Sequence, residues 1–136
     1  MEMDLVEILQ QLTVLVVDDD ESIRMLLEIY FGSRGYRVVC AADGEEGLEL
    51  MRHDLPDVVL LDGMLTGMDG WEVCRHMREI SNVPILMLSG RAQESDREKG
   101  LAAGADGYIT KPVSMKELHL KIQEVVSRSR TRPGTN

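Results

Sequence analysis

The chain has 136 residues, enough for one domain of common size and too few for two. Hydrophobic residues make up 43% and charged residues 29%, the balance of a folded globular chain rather than a disordered one. The formal charge is −9, and three arginines with no acid lie beyond Ser127, so residues 1–127 carry −12; this speaks against direct nucleic-acid binding.

No apolar run approaches the ~20 residues that span a bilayer, so no membrane partner is expected. No basic start followed by an apolar stretch and a small-residue cleavage site opens the sequence, so export is not expected. Cys40 and Cys74 form no Cys-x-x-Cys pair and read as buried free thiols in a reducing compartment, which makes a cytoplasmic location the expectation.

Residues 1–12 place Leu5, Ile8, Leu9 and Leu12 on a helical stripe. An isolated helix this short is marginal in water, so this extension is expected to dock on its own subunit or on a second copy, and a homodimer is one expected assembly. A strand is predicted over Thr13–Val17, followed by a helix whose stripe is Ile23, Leu26, Leu27 and Tyr30, ending at Gly32 or Gly35. The second strand, Tyr36–Cys40, leads to a helix capped by Asp43, with Glu46 completing a capping box and Leu48 and Met51 facing inward. The third strand, Asp57–Leu61, is nearly all apolar, as a strand covered on both faces should be. Its helix begins near Asp69 and buries Val73, Met77 and Ile80.

The fourth strand, Val83–Leu88, precedes the weakest helical signal, Gln93–Ala103. Gly107–Thr110 is the fifth strand. The last helix opens on the Ser114-x-x-Glu117 capping box and carries Met115, Leu118, Ile122 and Val125 on one face. Residues 128–136 read as a flexible tail or linker stub. Strict alternation of strand and helix with short loops implies an α/β fold, a doubly wound parallel sheet with helices on both faces.

In such a sheet, ligands bind beyond the carboxyl ends of the strands. There the first strand ends in Asp18, Asp19 and Asp20, the third in Asp62, the fourth in Ser89 and the fifth in Lys111-Pro112. Two carboxylates ~4 Å apart repel by about 4 kcal/mol at an effective dielectric near 20, and a third makes the cluster worse unless a cation enters. A few oxygen ligands with open positions suit Mg²⁺, which accepts phosphate oxygens. A lysine and a hydroxyl aimed at the same spot suit the rest of a phosphoryl group. An aspartate can itself be the nucleophile, giving an acyl phosphate.

The chain resembles the phospho-receiver domain of two-component response regulators over Thr13–Ser127. The resemblance rests on Val14-Leu15-Val16-Val17-Asp18-Asp19-Asp20, on Asp57–Asp62, and on Met64 with Gly67-Met68-Asp69-Gly70. Pro84–Gly90 and Gly104–Pro112 complete it. It implies a flavodoxin-like sheet of five strands in the order 2-1-3-4-5. It also implies that Asp62 accepts a phosphoryl group from a sensor histidine kinase or a histidine phosphotransfer protein. Asp18, Asp19, Asp62 and the backbone carbonyl of Met64 would hold Mg²⁺, and Lys111 and Ser89 would contact the phosphoryl oxygens. Tyr108 would follow Ser89 as the switch aromatic. The face of the fourth helix, fifth strand and fifth helix would then change shape toward a downstream output domain or protein.

Several positions depart from the family pattern. Thr66 stands where proline is common, Val113 where an aromatic often follows Lys-Pro, and Gly90 where alanine is usual. Met64 and Arg91 are expected to flank the phosphoryl group, with Arg91 either pairing with it or swinging into solvent. Two other classes stay open from residues alone. A haloacid-dehalogenase-type phosphatase fits Asp18-x-Asp20 but needs a further acid after Lys111, where only Glu117 and Glu124 are available. A phosphate-independent interaction module would use the same fold without the chemistry. His53, His76 and His119 read as solvated or edge residues.

Overall fold

The computed structural model describes residues 12–131, so Leu5, Ile8 and Leu9 of the expected N-terminal stripe and the end of the tail lie outside the described residues, while Leu12 is half-buried against the core. The elements run β1 (Thr13–Val17), α1 (Glu21–Gly32), β2 (Arg37–Ala41), α2 (Gly44–Asp54), β3 (Val58–Asp62), α3 (Gly70–Ile80), β4 (Ile85–Ser89), α4 (Glu94–Ala102), β5 (Gly107–Thr110) and α5 (Met115–Thr131). All neighbouring strands pair in parallel in the order β2-β1-β3-β4-β5.

Side chains of a strand alternate between faces, and the sheet uses both. Leu15, Val17, Val59, Leu61, Ile85 and Met87 point into a core shared with Met51 of α2 and Val73, Cys74 and Met77 of α3. Val14, Val16, Val58, Leu60, Leu86 and Leu88 point the other way, onto Leu27 and Phe31 of α1 and Leu118, Ile122 and Val125 of α5. Right-handed crossovers account for this division. The chain steps one way from β1 to β2 and the opposite way from β2 through β5, so α1 lies across the sheet from α2, α3 and α4.

Caps set the helix starts. Asp20 accepts from the N–H groups of Ser22 and Ile23, Asp43 from Glu46, and Asp69 from Glu72. Ser114 Oγ accepts from Glu117 N at 3.0 Å. Glu46 closes its box one residue early, accepting from Ala42 N at 2.7 Å.

Several expectations shift. β2, β3 and β4 begin one or two residues later than expected, and each ends one residue later. Tyr36 is not in the ladder, because its N–H is bound to Phe31 O at the end of α1. On α1 the buried residues are Leu27 and Phe31, while Leu26 is 52% exposed. At 100° per residue, Leu26 stands roughly 100° from Leu27, too far round to share its contact with the sheet. Ile80, the last residue of α3, is 37% exposed, and Cys74 takes a buried place instead. The helix α5 continues past Ser127 to Thr131.

Of the two positions expected for it, solvated or edge, His119 takes the edge. It is half-buried, its ring edge-on to Tyr30, Phe31 and Tyr36, and its Nε2 pairs with Tyr36 Oη at 3.0 Å. The sequence signal is an i, i+4 arrangement with Met115 that puts His119 at the margin of the α5 apolar stripe.

Candidate functional site

The strand order reverses at β1, so the loops after β1 and β3 leave in different directions and open a crevice between them. Both loops begin with acids. The backbone at each strand end is fixed by its neighbour, with Asp18 N donating to Ala41 O, Gly63 N to Leu88 O and Lys111 N to Ser89 O at 2.8–3.1 Å. Functional side chains therefore leave a rigid platform.

Asp18, Asp19 and Asp62 converge there, with one carboxylate oxygen of each within 4.8 Å of the others. Asp18 and Asp62 are buried and Asp19 is exposed. Lys111 Nζ lies 3.5 Å from Asp18 Oδ2 and 3.5 Å from Asp62 Oδ1. One ammonium thus pairs with two carboxylates of a three-carboxylate cluster, which is short of positive charge when its acids are ionised. Burial holds the Asp62 carboxyl above its ordinary range, and Asp18 and Asp19 add to this. A hydrogen bond from Met64 N to Asp62 Oδ1 at 3.1 Å and the charge of Lys111 pull it back down.

Asp20 stands apart from this cluster, its carboxylate spent on capping α1. Packing behind Asp62 is tight. A Cβ on Gly70 would come within 2.5 Å of the Asp62 carbonyl oxygen, so the first turn of α3 closes directly on the end of β3. One on Gly63 would come within 2.9 Å of Ser89 Cβ.

Ser89 is 1% exposed, and its Oγ accepts from Arg91 N at 3.1 Å. Tyr108 is also buried, and its hydroxyl donates to Arg91 O at 2.8 Å. The Arg91 guanidinium sits 4.8 Å over the Trp71 ring, and Lys99 Nζ lies 5.0 Å from the centre of the same ring. Met64 presents its side chain 50% exposed.

Two participants escape sequence reasoning. Arg24 Nη1 donates to Asp18 O at 2.7 Å, bracing the first acid from α1. Thr66 Oγ1 donates to Asp19 Oδ2 at 2.7 Å. Thr66 shows itself in the sequence only as a departure from proline. Glu124, the acid a dehalogenase-type site would need, is exposed on α5 and pairs with Lys121 and Arg128. Glu117 is exposed as well.

The family model of the response regulator receiver domain matches residues 14–123. The chain belongs to the response regulator receiver domain family. Among curated relatives, a probable transcriptional regulator ycf27 from Guillardia theta is 48% identical over 116 residues, covering 85% of this chain and 46% of the relative. The transcriptional regulatory protein AfsQ1 from Streptomyces coelicolor is 43% identical over 116 residues, covering 85% of this chain and 52% of that one. This receiver therefore spans about half the length of the curated relatives it matches. Among solved structures, the receiver domain of the Francisella response regulator 1452 aligns with a TM-score of 0.81 at 32% identity, covering 86% of this chain and 98% of that one. The flavodoxin-like order 2-1-3-4-5 expected of the family is the one observed. Among the described residues no helix is long and apolar enough to cross a membrane.

Proposed function

We propose that this receiver is an Mg²⁺-dependent phosphoryl acceptor in which Asp62 takes the phosphoryl group. One observation carries the reading: Lys111 Nζ stands 3.5 Å from both Asp62 and Asp18, with Asp19 closing a three-carboxylate cluster at the crevice. The donor set is all oxygen and is short of positive charge, which fits Mg²⁺. Asp18, Asp19, Asp62 and the Met64 carbonyl would hold the ion. When bound, it supplies positive charge for the phosphoryl oxygens and relieves repulsion among the acids.

In the transfer, a carboxylate oxygen of Asp62 attacks phosphorus while the bond to the donor's imidazole nitrogen breaks and its electron pair stays on that nitrogen. The product is an acyl phosphate on Asp62. Water attacking the same phosphorus later releases inorganic phosphate and restores the carboxylate, so the chain turns over its own modification rather than a metabolite. Lys111 stabilises charge on the phosphoryl oxygens. Ser89, whose Oγ accepts from the Arg91 N–H and keeps its own O–H free to donate, donates to one of them and turns toward it. Tyr108, tied to the Arg91 carbonyl, carries the change to the face of α4, β5 and α5. The donor is a sensor histidine kinase or histidine phosphotransfer protein, and the recipient a downstream output domain or protein, in a cytoplasmic setting suited to two free thiols.

The test is intact-protein mass after incubation with acetyl phosphate and Mg²⁺. A gain of about 80 Da, one phosphoryl group on an aspartate nucleophile, is expected in the parent and not in Asp62→Asn. Absence of the adduct, together with no complex with beryllium fluoride, would assign the chain to a phosphate-independent module.

A further inference from the structure

Asp18 and Asp62 are buried, and each also meets a backbone N–H: Asp20 N donates to Asp18 Oδ1 at 2.9 Å and Met64 N to Asp62 Oδ1 at 3.1 Å. Asp19 differs. It is exposed, in the loop after β1, and an exposed aspartate samples several rotamers unless something holds it. What holds it is a side chain from across the crevice: Thr66 Oγ1, in the loop after β3, donates to Asp19 Oδ2 at 2.7 Å. A hydroxyl in this place offers a donor that proline lacks.

We propose that Thr66 is a positioning residue for Asp19, holding its carboxylate in the orientation from which it binds Mg²⁺. This rests on the metal site of the preceding reading and adds a residue to it. A carboxylate has two oxygens with about four acceptor sites, so Asp19 keeps acceptor capacity for a cation while Thr66 is bound. Outer partners of this kind orient metal-binding side chains, and their loss typically costs about 10- to 100-fold in metal affinity; the exposure of Asp19 sets the expectation here at about tenfold. The same bond ties the loop after β3 to the loop after β1, so the two walls of the crevice are fixed relative to each other before any ion arrives.

The test is an Mg²⁺ titration of the full chain followed by amide NMR shifts, with Thr66→Val, Thr66→Ala and Thr66→Ser, and with thermal unfolding of each without Mg²⁺. Expected is about tenfold weaker binding for both Thr66→Val and Thr66→Ala, binding within about twofold of the parent for Thr66→Ser, and midpoints within about 3 °C of one another. Equal Mg²⁺ affinity in parent and Thr66→Ala would overturn the positioning role while leaving the metal site intact, as would a Thr66→Ser variant as weak as Thr66→Ala. A parent that shows no saturable Mg²⁺ binding would overturn both.

Discussion

Ser89 and Tyr108 hold opposite ends of one residue: Arg91 gives its N–H to Ser89 Oγ at 3.1 Å and receives the Tyr108 hydroxyl on its carbonyl at 2.8 Å. Neither side chain touches the other through these bonds, yet a movement of Ser89 releases the N–H of a residue whose carbonyl is anchored by Tyr108. A double-mutant cycle reads this link. Ser89→Ala and Tyr108→Phe should each cost about 1 kcal/mol of stability, and the double variant should depart from additivity by about 0.5 kcal/mol or more. Strict additivity in urea unfolding would mean that the two side chains act independently.

Asp62 is expected to weaken the metal-free fold at neutral pH. Its carboxyl is held above the ordinary value of 3.8 in the folded state, chiefly by burial. The unfolded chain therefore loses this proton first, so stability falls as pH rises from about 3.8 through the raised folded value, and the loss is complete above it. Asp62→Asn cannot ionise, and its thermal midpoint without Mg²⁺ should rise by a few degrees, equivalent to about 1 kcal/mol in a chain of this size. Added Mg²⁺ should stabilise the parent more than the variant.

The His119 ring predicts a dependence of opposite sign nearer to neutrality. Burial, with a smaller contribution from the Arg34 charge, holds its pKa below the ordinary 6.5. Between the folded value and 6.5 the unfolded chain binds the proton more readily, so stability is full above about pH 6.5 and falls as the solution is acidified. His119→Phe should flatten the slope of thermal midpoint against pH between 7.5 and 5.5 (the two ends of a window about one unit either side of an ordinary histidine). An unchanged slope would place the titration elsewhere.

Arg78 offers a test of fold without chemistry. Its guanidinium donates to the carbonyls of Gly104, Ser81 and Val83 and to Asp106, whose Oδ2 also accepts from Ile85 N at the start of β4. Arg78→Ala takes the counter-charge from that carboxylate, leaving it only the Ile85 N–H, and a donor from each of three carbonyls, and a loss of about 3 kcal/mol is expected in denaturant unfolding. Phosphoryl uptake from acetyl phosphate should persist wherever the variant is folded, since none of these groups touches the acid cluster.

The architecture and the acid rim were legible because both are written in local pattern. Apolar runs mark strands covered on both faces, and a strand ending in Asp-Asp or Lys-Pro announces itself. Asp18, Asp19, Asp62, Ser89 and Lys111 therefore stood out, and all lie at strand ends. What escaped was made by meetings across the chain. Thr66 reaches Asp19 across 47 residues, and Tyr36 reaches His119 across 83. The position of Leu26 misled because a four-residue stripe leaves the centre of the buried arc open; Phe31, outside that stripe, moves the centre away from Leu26.

The long final helix carries a mechanical implication. Its 17 residues form a rod of about 25 Å, rooted in the sheet through Leu118, Ile122 and Val125. A pivot of roughly 5° about Ile122 displaces the tip at Thr131, nine residues or about 14 Å away, by about 1 Å. A tilt of this helix on the sheet would therefore reach Thr131 as a displacement set by the length of that arm, with its direction preserved by the stiffness of one uninterrupted helix.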